Sequence, residues 1–214
     1  MKKNEELNSL DALNDIKRIM EQSTRFLSLS GWSGIWAGTI AILGGAIAYY
    51  LFEAYYQEYD MRGSFSAASY NILLNNLFIL AFIVVDLALA GAYLFTKRKI
   101  KKQGLPLWNQ ASKRMLLNIA IPMVAGGILI LGFLKNDDWK YVAPACLIFY
   151  GLALINGSKY THNDIRYLGI FELILGCICI FFPGLGLYFW IMGFGILHIV
   201  YGVVMWRKYD SKID

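Results

Sequence analysis

Three side chains in this sequence stand where ionisable groups are costly. Asp86, Glu172 and His198 each lie inside a long, otherwise uncharged apolar run. At the middle of a bilayer such a group costs on the order of 2.5–3.5 kcal/mol on insertion scales, so it is kept for pairing, proton relay or ligand contact. Glutamate and histidine together make an acid and a base that can exchange a proton near neutral pH. Asn118 and Asn156 form a second, amide set. Amides that hydrogen-bond between helices contribute about 0.6–2 kcal/mol to their association, and packing is the reading we favour for this pair.

The elements that must carry these residues follow from composition. The chain has 214 residues, 57% of them hydrophobic and only 16% charged, which leaves too little polar surface for a water-soluble domain of this size. A hydrocarbon core of about 30 Å needs roughly 20 apolar residues in a helix. Runs that meet this length cover residues 32–53, 73–96, 115–134, 139–156, 167–182 and 185–206. The fifth is the shortest, and Pro183, Gly184 and Gly186 mark a tight turn after it. Lys and Arg number 5 before the first run, 7 in residues 97–114, 2 in residues 157–166 and 3 after Trp206, while the alternate side holds only Arg62, Lys135 and Lys140. That bias places both termini in the cytoplasm. The net charge of +5 is therefore a mark of topology, and no nucleic-acid partner is expected.

The expected fold is an all-α membrane protein, with six transmembrane helices arranged as three helical hairpins over residues 31–209 and a short cytoplasmic tail at 210–214. Residues 1–30 are expected to hold an amphipathic cytoplasmic helix, because Leu7, Leu10, Leu13, Ile16, Ile19 and Met20 recur at spacings of three to four. This helix would lie on the inner leaflet, against cytoplasmic loops, or in the groove of a cytoplasmic protein. The first and third runs echo one another, Ala37 to Gly44 against Ala125 to Gly132, as parallel hairpin repeats would. Pro122 is expected to kink the third span, and Pro144 to be tolerated near the start of the fourth.

Relative positions can be read from hairpin symmetry. If the fifth and sixth spans turn near Leu185, Glu172 and His198 stand opposite each other, and a hydrogen bond or ion pair between them is expected. Helical spacing puts Gly169, Gly176 and Cys179 on the face of Glu172, and Gly195, Gly202 and Met205 on the face of His198. Small residues on both faces would let the two backbones approach closely. A turn near Asn136 likewise matches Asn118 with Asn156. On the second span, Asp86 shares a face with Asn75, Phe82, Ala90 and Tyr93. This stripe is expected to face the bundle interior, with Thr39 as a hydroxyl partner for the acid. Gly34 and Gly38 make a Gly-x-x-x-Gly association face, internal or between copies of the chain.

Cys146, Cys177 and Cys179 sit in apolar runs and form no disulfide framework or Cys-x-x-Cys site. No phosphate-binding loop, dinucleotide fingerprint, His-Glu-x-x-His or nucleophile elbow occurs. The reading therefore names no catalytic residue, no cofactor and no metal ligand. A bis-histidine haem is disfavoured, since His162 belongs to a loop and His198 to a span.

The stretch from Asn163 to Tyr209, NDIRYLGIFELILGCICIFFPGLGLYFWIMGFGILHIVYGVVMWRKY, together with Asp11 to Gly38, resembles a family of small multipass proteins from Bacteroidota. The resemblance covers nearly the whole chain and implies the bacterial inner membrane; it brings no activity. The Pro-Gly hairpin with glycine-rich flanks is loosely similar to acid-resistance membrane proteins of the HdeD type. Two functional readings follow. One is a non-enzymatic structural, sensory or stress-related membrane module, whose partners are the lipid bilayer, a cytoplasmic protein or a second copy of itself. The other is a small proton-linked transporter or channel using Asp86, Glu172 and His198.

Overall fold

A computed structural model describes Phe26 and residues 29–63, 66–104 and 108–211, without the side chains of residues 59 and 60. The expected amphipathic helix at the N-terminus lies outside these residues. Among the described residues every regular element is helical. The six helices are α1 (Gly31–Arg62), α2 (Ala67–Gln103), α3 (Gln110–Lys135), α4 (Val142–Gly157), α5 (Asp164–Cys179) and α6 (Gly186–Asp210). Five of the six, counting the short 3-10 turns that flank α4, are long and apolar enough to cross a membrane. The exception is α5, whose 16 residues span about 24 Å.

Local chemistry sets the helix ends. Ser66 caps α2 by accepting from the Ala68 N–H, and Gly104 closes it in the left-handed region at φ 65°. Asn109 and Ser112 form a reciprocal capping box at the start of α3. The turn after α5 uses Gly184 at φ 98°, a conformation open to glycine. The last span was expected to stop at Trp206, yet α6 runs on to Asp210.

Pro122 lies inside α3, and its ring nitrogen offers no hydrogen to the carbonyl four residues earlier, that of Asn118. The Asn156 side chain on α4 donates to that carbonyl at 3.0 Å and to the Asn118 amide oxygen at 3.3 Å. One amide thus satisfies the acceptor that proline leaves open and ties the two helices together.

The helices pack as a chain of seams: α2 on α1, α1 on α6, the first part of α6 on α4, and α4 on both α3 and α5. Contact between α5 and α6 is comparable to that between α6 and α4, and both are lighter than the α4–α5 seam. This corrects the expectation of close backbones across the last hairpin. A Cβ on Gly34 would fall 3.0 Å from the Gly202 Cα, and one on Gly38 would fall 2.5 Å from the Gly195 carbonyl oxygen, so Gly195 and Gly202 belong to the α1–α6 seam. Gly169 meets Gly151 on α4, and Gly176 meets Ile148 there. Each glycine face found a neighbour other than the next helix in the chain, because α1 and α4 carry small residues of their own.

At one end of the bundle a buried ion pair joins three helix termini. The Lys99 ammonium, at the end of α2, lies 2.7 Å from Asp210 Oδ1 and donates to the Leu29 carbonyl at 2.8 Å. Asp210 Oδ2 accepts from the Ser30 hydroxyl at 3.0 Å and the Gly31 N–H at 2.8 Å. The last residue of α6 thereby caps the first turn of α1, where a negative charge meets the positive end of the helix dipole. Beside it Phe26, Ile100, Ala111 and Met115 form a small apolar cluster. Phe26 docks there through its N–H to the Tyr160 carbonyl and its own carbonyl from the Thr161 hydroxyl.

Both members of the Lys99–Asp210 pair are less than a tenth exposed, so removing one strands the other. We expect Lys99→Met to destabilise the purified protein by about 3–5 kcal/mol, and Lys99→Met with Asp210→Asn to cost less than the two single changes added. Thermal unfolding in detergent reads this directly; a loss below about 1 kcal/mol for Lys99→Met would match an exposed pair and reject the latch.

Candidate functional site

Three helices bring ionisable groups together at one buried point. Glu172 comes from α5, His198 from α6 and Tyr150 from α4. Glu172 is completely buried, and its Oε1 lies 3.4 Å from His198 Nδ1. Neither carboxylate oxygen has a hydrogen-bond partner of ordinary geometry among the described residues. His198 Nε2 is 2.7 Å from the Tyr150 hydroxyl, and Nδ1 is 3.0 Å from the Gly193 carbonyl.

The carbonyl assigns the tautomer. Gly193 O can only accept, so Nδ1 carries the hydrogen, and in the neutral ring Nε2 then accepts from the Tyr150 O–H. The Nδ1 hydrogen lies between the Gly193 carbonyl and the Glu172 carboxylate. Aromatic rings enclose the imidazole, with the Phe194 ring stacked at 5.9 Å and the Tyr150 ring tilted at 5.3 Å between centroids. Glu172 is seated on Gly193, where a Cβ would fall 2.5 Å from Oε2.

Gly193 lies in a π-helical segment, Ile191–Leu197, that ends just before His198. Such wide turns cost regular hydrogen-bond geometry and cluster at functional positions. Here the segment turns the Gly193 carbonyl to the imidazole and leaves room for the carboxylate.

The remaining candidates lie elsewhere. Asn118 and Asn156 serve the α3–α4 seam described above. Asp86 is exposed on α2, on the side away from Leu73, Val84 and Gly91, which face inward. That corrects the interior placement expected for its stripe. The α2 face that meets α1 is set by small residues, with Val84 over Gly44 and the Trp36 ring over Gly91. Trp36 also donates to the Leu87 carbonyl at 2.9 Å. Thr39 does not reach the acid, because its hydroxyl donates to the Ile35 carbonyl one turn back in its own helix.

Sequence reasoning missed Tyr150, Gly193, Lys99 and Asp210. Tyr150 did carry a signal: it is a tyrosine well inside an apolar run, and a buried phenol needs a partner for its hydroxyl. Lys99 was counted only as part of a basic stretch.

A second polar cluster sits at the start of α5. Asp164 accepts from Lys208 at 2.8 Å and from the Tyr209 hydroxyl at 2.7 Å, and the His162 ring lies 4.1 Å from that of Tyr209. Partial burial pushes the Asp164 carboxyl up, but the Lys208 and Tyr209 hydrogen bonds outweigh it and hold the group below the usual carboxylate range. Among the described residues no group of three or more His, Cys, Asp or Glu gathers as a metal site. Comparison with protein families, curated proteins and solved structures finds no match to this chain.

The direction at Asp164 sets a pH dependence. A carboxyl lowered in the folded state contributes stability that is present above its unfolded value, about 3.9, and is lost as pH falls through the folded value. We expect thermal stability to drop below about pH 4 and Asp164→Asn to flatten that part of the profile. An unchanged acid slope in the variant would remove Asp164 from the account.

Proposed function

We propose that this protein is a six-span bacterial inner-membrane protein, with both termini in the cytoplasm, that acts as a non-enzymatic sensory module for protons. The distribution of Lys and Arg supports the orientation, with α5 as a short sixth crossing completed by the turn residues after Cys179. The observation that carries the sensory reading is the complete burial of Glu172, with the His198 imidazole as its ionisable neighbour. A carboxyl and an imidazole that share one proton are neutral as a pair, whichever of them holds it. Adding or removing a proton leaves a net charge in an apolar interior, which is costly unless water enters or the helices part.

The element placed to respond is the π-helical segment of α6. Tyr150 faces the pair from α4, Glu172 stands on α5, and α1 contributes Gly34 against the backbone of His198.

An environment-sensitive label on the exposed Cys177 of α5 tests this in liposomes. Its signal is expected to change with pH and to lose that change in Glu172→Gln and in His198→Ala, with helix content retained. A response identical in wild type and both variants would sink the reading.

The contiguous string Tyr150, His198, Glu172 favours a second reading, a small proton-linked transporter that uses the pair without the outward-facing Asp86. Proteoliposomes distinguish the two, since a sensor carries no proton or ion flux above empty vesicles across a substrate panel. The topology has its own test: reporter fusions at Arg62 and Leu105 should report opposite compartments, and the same compartment at both would overturn the six-span arrangement.

A further inference from the structure

The apolar stretch of α2 between Asn76 and Lys97 is Leu77 to Thr96, twenty residues, and Asp86 is the tenth of them. It is the sole Asp, Glu, His, Lys or Arg in that stretch, and it is exposed. No hydrogen bond or ion pair joins it to any of the described residues. Lipid supplies no donor, so the bundle is incomplete at this point: whatever covers Asp86 must itself be polar and must sit at mid-depth.

The surroundings of Asp86 say what fits. Asn75, Ile79, Phe82, Asp86, Leu89 and Tyr93 recur at spacings of four, three, four, three and four, the heptad seam of two helices crossing at a shallow angle. All six are exposed on this helix, which uses its opposite side against α1. The three polar members share one property. An amide and a phenol each both donate and accept, as does the acid form of a carboxyl, so each can satisfy an identical group.

We propose that this face of α2 is a twofold interface between two copies of the chain, centred on a hydrogen-bonded Asp86 pair. Two copies inserted in the same orientation bring like residues to the same depth. A parallel α2–α2 contact therefore sets Asn75 against Asn75, Asp86 against Asp86 and Tyr93 against Tyr93. A single protein of unrelated sequence would have to match all three depths. The Gly34–Gly38 face, the other candidate for self-association, is already occupied by α6.

The test uses the full chain in nanodiscs. Wild type is expected to be dimeric by single-molecule photobleaching. Asp86→Leu should weaken self-association about tenfold with helix content unchanged, while Asp86→Asn, still donor and acceptor, should remain dimeric. Leu89→Cys in a Cys177→Ser background should give an oxidised cross-linked dimer, and Leu131→Cys on α3 should not. Monomeric wild type, a dimer indifferent to Asp86→Leu, or equal cross-linking from Leu131 would each overturn the proposal. Cross-linking of Leu89→Cys to a different protein in native membranes, with monomeric purified chain, would assign the face to that protein instead.

Discussion

In hydrocarbon, apolar surface gains nothing by leaving one apolar neighbour for another. Helices there hold together where backbones come close and where polar groups find partners. Both kinds of contact occur among the described residues of this bundle. Gly34, Gly38, Gly195 and Gly202 bring α1 and α6 into backbone contact, and Gly151 and Gly169 do so for α4 and α5. Between these seams the polar groups act as rivets: Asn156 on the carbonyl freed by Pro122, Lys99 on Asp210, and Glu172 on His198.

The rivets differ in what a proton does to them. Asn156 has nothing to titrate. The Lys99–Asp210 latch is reinforced by the Ser30 hydroxyl and the Gly31 N–H on the acid and by the Leu29 carbonyl on the base, so its charges are answered several times over. Glu172 has no such reinforcement, since its two oxygens face a single imidazole and a glycine. Of the three it is the contact with the fewest polar partners.

The helices also divide by role. α4 is central, with neighbours on three sides, and it supplies Leu147 and Tyr150 to the site. α2 and α3 lie at the edge, each inserting a narrow stripe into the bundle and leaving the rest of its surface outside. For α3 that outer surface is uncharged between Arg114 and Lys135. For α2 it carries Asp86, so the same physical rule that accounts for the interior makes the outer face of α2 the exception.

Hydropathy adds up residue by residue, so an all-helical chain with several apolar helices at these approximate positions was legible without coordinates, while the fifth run, read as a span, folds as a helix of only 16 residues. Also legible were the two polar matches, Glu172 with His198 and Asn118 with Asn156, because symmetry about a short turn fixes depth along a helix. Rotation about the helix axis was not legible. Gly195 could face α5 or α1, and Asp86 could face in or out, since each choice depends on which other helix carries small residues at the same depth. Likewise, nothing local marks Asp210 as the cap of a helix that begins 179 residues earlier. Depth is a property of one helix and its neighbours in sequence, whereas facing is settled only when all six helices compete for the same close contacts.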